Sequence, residues 1–426
     1  MKLNEQIDFS SITKKTWTRE QFFKIFCGIM LGGIFIFLLS LLCLGVDRWR
    51  YLFFILTDPS DSFMDFFNPI AWAGVVDLKD AYLNSLNIYP PLVVLFTGIF
   101  GSYFQVFQNT MRGGQFLNYP LPLVCLSTFL VVSISSLYLL LFINKTGDKK
   151  TKLLFCLFMF FSAPFLFWFE RGNYIILAVI FSLLFIMFYD SNKKYLRYLA
   201  LFALALAINI KIYPAVLGLL LLKEKKFKEI FLLGIYTALL FFVPLIFLGG
   251  IKGILLCVNN LQYITEQYLH RGYGYLLSFS STTKMLVYAV FRTEYPILNK
   301  IFFIISGVCL IVGSISAYRI ESKWKTLAIL CLLMILIPQI SFTYALLFMM
   351  IPLMYFLNDR IEKNFKDLIY LILFCLIFIL SIPMEMPIFM PLGFAVLIDN
   401  FLSRLACVVM FIMLCYDGLR SVNYGK

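Results

Sequence analysis

Long apolar runs, each closed by a short polar stretch, set the pattern of this chain. Phe22 to Gly45, Leu121 to Ile143 and Glu229 to Leu248 have the roughly 17–25 residues that a helix needs to cross a bilayer. They do not alternate apolar and polar positions over about ten residues, as barrel strands do, so they predict helices. Lys and Arg gather in the polar stretches: the start (Lys2, Lys14, Lys15, Arg19), the loops Lys145 to Lys152, Lys193 to Arg197, Lys223 to Lys228, Arg319 to Lys325 and Arg360 to Lys366, and the tail with Arg420 and Lys426. Placing all of these on the cytoplasmic side leaves room for one out-and-back helical pair between successive loops. The pattern therefore predicts an all-α polytopic bundle of about twelve spans with both termini cytoplasmic. The predicted segments are 22–45, 121–143, 153–169, 173–189, 197–210, 213–222, 228–248, 300–318, 325–338, 341–357, 367–383 and 400–416.

Segments 197–210 and 213–222 are too short to cross alone, and Lys211-Ile212-Tyr213-Pro214 interrupts them. A broken pair of half-helices lining a wet cavity accounts for this, because irregular backbone at membrane depth is tolerated only there. On the outer side two connections are long, 46–120 and 249–299, and long loops on one face of a bundle are usually functional. Within the first, Tyr89-Pro90-Pro91 precedes an apolar stretch, 92–107, which is expected to lie in the interface; as a span it would place Lys145 outside. No fixed-period repeat or linker divides residues 1–426, which read as a single transmembrane domain.

Composition sharpens the picture. The chain is 62% hydrophobic and 14% charged, with a mean hydropathy of +0.90, values that exclude a water-soluble surface. A net charge of +13 would suit nucleic acid only on a contiguous soluble face, whereas here the charge sits in short loops. The 10 Cys are scattered through apolar runs without paired spacing and read as small buried hydrophobes. No cleavable signal is evident, since the first apolar run is too long for a signal core. There is no phosphate-binding glycine loop, dinucleotide fingerprint or nucleophile elbow, so an activated donor is expected to be lipid-borne or supplied by another protein.

Several residues stand out against this background. The first outer loop holds Asp58, Asp61, Asp65, Asp77 and Asp80. Asp65, in Met64-Asp65-Phe66-Phe67-Asn68, has apolar neighbours that would desolvate it and raise its basicity; it reads as a general base or as a helix-capping carboxylate. Glu170-Arg171-Gly172-Asn173 is a polar knot between two apolar segments, where Arg171 either grips phosphate oxygens or pairs with Glu170 to finish a turn. Lys211 calls for an anionic partner, a lipid phosphate or a carboxylate, or snorkels to the head groups. The single histidine, His270, is an acid, base or phosphate contact or a solvated loop residue, and alone it makes a zinc site unexpected. Aromatic residues, 18% of the chain, line a sugar or lipid groove or form interfacial belts.

Asp65-Phe66, Ala71-Trp72-Ala73, Tyr89-Pro90-Pro91-Leu92, Arg171-Gly172-Asn173 and Lys211-Ile212-Tyr213-Pro214, in that order, resemble glycosyltransferase family 87. These are GT-C-type membrane enzymes related to the polyprenol-phosphate-mannose mannosyltransferases. The resemblance implies a GT-C bundle whose first outer loop supplies the catalytic carboxylate, Asp65, with Lys211 and Arg171 near the polyprenyl phosphate of the donor. Tyr89, Glu170, Asn173, Tyr213, His270 and Tyr344 then fall among the substrate-binding residues. It further implies inverting transfer of one sugar from a polyprenyl-phosphate donor to a glycan or glycolipid acceptor, without metal or other cofactor, on the outer face of a bacterial plasma membrane. Neither nucleic acid nor any particular oligomeric state is implied. One departure is that Tyr344 stands where family members often carry a His. Two other classes remain as alternatives. An O-antigen-type polymerase relies on outer-loop arginines, here only Arg48, Arg50, Arg112, Arg171, Arg271 and Arg292; a flippase or transporter would show two matched halves, which are not found.

Overall fold

A computed structural model describes residues 16–44, 62–74, 77–83, 86–103, 113–271, 276–291, 297–359, 362–380 and 398–420. Its regular structure is helical, apart from two isolated bridges, Trp17 with Lys363 and Leu276 with Phe342. In chain order the α-helices are α1 (Arg19–Leu44), α2 (Met64–Ala73), α3 (Pro91–Tyr103), α4 (Pro120–Asn144), α5 (Lys149–Phe160), α6 (Ala163–Arg171), α7 (Ile175–Phe188), α8 (Lys194–Ile210) and α9 (Leu219–Lys223). They continue as α10 (Phe227–Phe247), α11 (Gly250–Arg271), α12 (Phe279–Phe291), α13 (Ile297–Arg319), α14 (Lys323–Leu336), α15 (Met350–Asn358), α16 (Phe365–Phe378) and α17 (Ile398–Arg420). Short 3-10 turns at Tyr213–Gly218 and Thr343–Met349 lead into α9 and α15.

Helix is present at each of the predicted segments, but the expected count of about twelve spans is not reached by length and apolarity. Among the described residues five helices are long and apolar enough to cross a membrane, at Arg19–Cys43, Pro120–Asn144, Phe227–Phe247, Ile301–Arg319 and Asn400–Arg420. The pair α5–α6, bent by 57°, makes a sixth if it is taken as one span. The physical reason is that the others are short. At 1.5 Å per residue the 14 residues of α7 and of α14 reach about 21 Å, less than a hydrocarbon core of about 30 Å. These short helices are also among the most enclosed: every residue of α14 from Thr326 to Leu336 is buried. Protein neighbours therefore satisfy what lipid cannot at their irregular ends. The segment Pro91–Tyr103 is likewise a short apolar helix of 13 residues, and the connection from 249 to 299 is largely helical, through α11 and α12.

The basic loops meet at one end of the bundle. Trp17 and Lys363 exchange backbone hydrogen bonds of 2.9 Å, Arg19 donates to Thr146, and Lys145 Nζ donates to Asn358 Oδ1 at 3.1 Å. Lys223 donates to the carbonyls of Ala317 and Ile320, capping the last turn of α13. Lys226 reaches the Tyr189 carbonyl, Lys323 pairs with Asp190, and both Lys325 and Lys366 converge on Asp417 of α17. The chain thus returns to this end at 145, 190, 224, 320, 363 and 417. Ionic and carbonyl contacts satisfy the lysines there, and one apolar core extends from Phe22 to Cys415. All ten cysteines are free thiols.

Lys145 is the least comfortable of these cations. It is buried, lies over the rings of Phe23 and Phe155, and burial pushes its ammonium down to about 8, with the Arg19 charge adding to the effect. A lysine whose value falls on folding binds fewer protons when folded, so stability rises with pH from about 8 toward the ordinary 10.5. Thermal midpoints of the detergent-solubilised protein are expected to climb across that window, and the climb is expected to flatten in Lys145→Met.

Candidate functional site

At the opposite end, the turn between α6 and α7 clamps the first turn of α2. Helix α6 begins after Ser162 with Pro164 in its first turn and ends at Gly172, whose φ of +65° is left-handed. The Gly172 amide closes the helix on the Trp168 carbonyl at 2.8 Å. A Cβ at this position would stand 3.0 Å from Phe66 Cβ, so glycine meets both the backbone requirement and the close approach to α2. Across this contact Phe63 adopts a left-handed φ of 55° immediately before α2. For a phenylalanine that conformation costs on the order of 1–3 kcal/mol. It is held by its amide bond to the Glu170 carbonyl (2.9 Å) and by an edge contact with Phe169. The Glu170 carboxylate is buried and accepts from Ser62 Oγ.

The clamp brings the expected residues together. Asp65 Oδ1 accepts from Arg171 Nη2 at 2.8 Å and Nε at 3.3 Å, while Oδ2 accepts from Asn173 Nδ2 at 2.8 Å. The same Asn173 amide reaches the Tyr89 hydroxyl at 3.4 Å, and its oxygen accepts from the Ile175 amide at the start of α7. Lys211 Nζ stands 4.4 Å from the centre of the Tyr89 ring, a cation–π contact, and the Asp65 charge acts on it electrostatically. Burial, with the Asp65 charge adding, holds the Tyr89 phenol well above its usual range, so it stays protonated. Asp65 and Arg171 each keep about a fifth of their side-chain surface open, at 20% and 17%.

The surroundings of Asp65 differ from the apolar setting that its neighbours suggested. Phe66 and Phe67 turn inward, but both carboxylate oxygens are met by polar side chains. Of the other acids in that loop, Asp77 caps a 3-10 turn and Asp80 is exposed; Asp58 and Asp61 lie outside the described residues. Lys211 caps the C-terminus of α8 in extended conformation. Among the described residues no carboxylate comes within ion-pair distance of it.

The model of glycosyltransferase family 87 matches residues 87–341. The chain belongs to this family. No curated protein and no solved structure matches it. The matched region takes in Tyr89, Glu170, Arg171, Asn173, Lys211, Tyr213 and His270 and leaves out Asp65 and Tyr344. Family membership makes the protein a membrane glycosyltransferase, and the geometry links Asp65 to the matched residues.

The remaining expected residues are spread more widely. Tyr213 packs edge-on against Phe348, in the interior. Tyr344 is buried and stacks on Phe167, which precedes Arg171 by four residues, one helical turn along the same face of α6. Tyr344, the departure from the family resemblance, thus packs a turn below the clamp. His270 falls at the end of α11, and its side chain lies outside the described residues.

Sequence reasoning missed several supports. Trp168, fully buried, donates from Nε1 to the Asn173 carbonyl at 2.6 Å. Tyr174 donates to the Phe66 carbonyl at 3.0 Å. Asn260 of α11 donates to the carbonyls of Tyr82 and Asn87 at 3.0 Å each, and Tyr82 donates to the Tyr89 carbonyl. The available signal was a Trp in Phe167-Trp168-Phe169-Glu170, whose N–H needs an acceptor once buried. Among the described residues no three His, Cys, Asp or Glu side chains gather as metal ligands would.

Gly172→Val combines strain at a left-handed position with a clash against Phe66. It is expected to cost on the order of 1–3 kcal/mol of stability and to remove most transferase activity, because Arg171 and Asn173 lose their register on Asp65. Thermal unfolding and sugar transfer measured on the same detergent preparation test this; a variant equal to wild type in both would show that the clamp does not depend on the glycine.

Proposed function

We propose that this family 87 glycosyltransferase moves one sugar from a polyprenyl-phosphate donor to a glycan or glycolipid acceptor with inversion, and that Asp65 is its general base. The observation that supports the reading is that Asp65, held by Arg171 and Asn173, and Lys211, over the ring of Tyr89, gather around the same tyrosine. The acceptor oxygen attacks the anomeric carbon as the bond from that carbon to the phosphate oxygen breaks. The acceptor proton passes to Asp65, and the polyprenyl phosphate departs with the bonding electrons. Lys211 meets the charge developing on the leaving phosphate. Protonation of Asp65 weakens its hold on Arg171, whose guanidinium then turns to the same phosphate. Tyr89 and Asn173 hold the base in place, with Glu170 fixing the turn behind them; Tyr213, Tyr344 and His270 are assigned to the surrounding substrate pocket.

Several finer features belong to the same proposal. The chain crosses a bacterial plasma membrane about twelve times, its basic end and both termini cytoplasmic and its clamp outward, as the gathering of basic loops at one end supports. The helix 91–103 lies near the outer interface, since counting it as a further span would place the basic loop at Lys145 outside. Transfer without a metal is part of the same proposal: the Asp65 carboxylate is engaged by Arg171 and Asn173, and Lys211 supplies the charge that meets the leaving phosphate. The sugar is mannose or a close relative, which rests on the family resemblance.

Asp65→Asn keeps the shape and removes the base. It is expected to lower transfer from a polyprenyl-phosphate sugar by about 100- to 10,000-fold while the protein still inserts and folds; full activity would take Asp65 out of the mechanism. Product length distinguishes the alternative polymerase, which would yield a ladder where single transfer yields one added residue.

A further inference from the structure

A groove of about 450 Å³ lies at the basic end of the bundle, where α9 and the last turns of α13 meet α14. Its walls are apolar: Leu219 and Leu222 of α9, Ile315 of α13 and Leu330 of α14. Leu222, Ile315 and Tyr318 at this groove are 42%, 41% and 49% exposed. Ile304, Val308 and Ile311 continue the exposed apolar stripe along α13, at the spacing of one helix face. The groove therefore opens sideways on the outside of the bundle, where bilayer lipid lies.

One end of the groove is cationic. Lys223, part of its lining, donates to the carbonyls of Ala317 and Ile320 and to Thr326 Oγ1 at 3.0 Å. Carbonyls at a helix C-terminus repel anions, and this ammonium offsets them. Arg319 ends α13, lines the groove, is exposed, and enters no ion pair among the described residues. Segments 223–228 and 319–325 carry seven basic residues against two acids, Glu224 and Glu321, so the mouth keeps a net positive charge. Glu224 is paired with Lys226, and Glu321 is exposed with its charge acting on Lys223. We propose that this groove binds an anionic phospholipid of the surrounding bilayer, as a structural lipid and not a substrate, with an acyl chain along Leu219, Leu222 and Ile315 and its phosphate at Arg319.

An amphiphile matches both parts of the groove. A free anion would leave the apolar walls uncovered, and a zwitterionic lipid would bring its own ammonium to the same cations. Bilayer lipid is as apolar as the walls, so the chains add little affinity. The preference rests on the headgroup, at about fivefold for each basic group near the surface. Leu219 and Leu222 also line a larger groove, about 660 Å³, whose lining includes Ile212, the chain neighbour of Lys211. The five residues of α9 thus form a thin wall between two spaces, and a lipid seated at the basic end braces that wall. A ligand bound only by the folded chain stabilises it. This inference is independent of the chemistry assigned to the clamp.

The test uses the full chain in detergent, with phosphatidylglycerol, phosphatidylcholine or inorganic phosphate added separately, read by native mass spectrometry and thermal unfolding. The variants are Arg319→Gln, Ile315→Trp to fill the groove, and Lys150→Gln, which removes an exposed lysine of another basic loop, outside the groove. Each chain is compared with its own unfolding temperature in the absence of lipid, so basal stability does not enter. Wild type and Lys150→Gln are expected to retain one phosphatidylglycerol and to unfold at a higher temperature with it. The concentration needed is expected to rise about fivefold in Arg319→Gln and at least as far in Ile315→Trp. Equal retention of phosphatidylcholine by wild type would overturn the anionic preference. Either groove variant binding like wild type, or Lys150→Gln weakened as much as Arg319→Gln, would overturn the site. Inorganic phosphate that stabilises as well as phosphatidylglycerol would make it a free-anion site and overturn the lipid.

Discussion

Everything at the clamp end depends on one contact, the docking of the α6–α7 turn on the first turn of α2. The contact joins segments about a hundred residues apart in sequence and is closed by charge-assisted hydrogen bonds from Arg171 and Asn173 to Asp65, which contribute more than neutral ones when partly buried. It also carries a cost, because Phe63 is held left-handed to bring Asp65 into register. Strain of this kind persists only where the surroundings over-determine it. Here the Glu170 carbonyl, the Gly172 backbone and the rings of Phe66, Phe129 and Tyr174 do so. The acid at the first turn of α2 also meets the positive end of that helix dipole, so local and tertiary terms favour the same placement.

The two ends of the bundle solve different electrostatic problems. At the basic end, cations greatly outnumber acids, and the lysines are satisfied by helix-terminal carbonyls, by amide side chains and by the shared carboxylate of Asp417. That end is a set of structural joints. At the clamp, by contrast, one carboxylate, one guanidinium and one ammonium are held at short range, and some of their surface is left open. Polar groups that remain partly accessible after their structural contacts are made are the ones available for chemistry.

How much of this was readable in the chain varies from residue to residue. Helix at each predicted segment and the grouping of basic loops were legible because apolar run length and Lys/Arg placement report directly on the bilayer. Asp65, Tyr89, Arg171, Asn173 and Lys211 were singled out, and they do converge. Their partners were not legible: nothing local in Glu170-Arg171-Gly172-Asn173 says that Arg171 reaches Asp65, since that depends on how α2 packs. Helix length does not confirm the count of about twelve spans, for a related reason. Helices such as α14 are enclosed by protein, and an enclosed helix need not match the thickness of the lipid. The left-handed Phe63 had no signal at all, because phenylalanine is not a residue that turns favour.

The hold of α11 on the strand of chain before α3 carries a mechanical consequence. Asn260 ties down the carbonyls of Tyr82 and Asn87, Tyr82 in turn ties down the Tyr89 carbonyl, and Gly249 lets the start of α11 approach the Lys79 carbonyl with no side chain between. Tyr89 is therefore moored to α11 through its own backbone, so the ring on which Lys211 rests is positioned from a helix far along the chain and cannot shift independently of it.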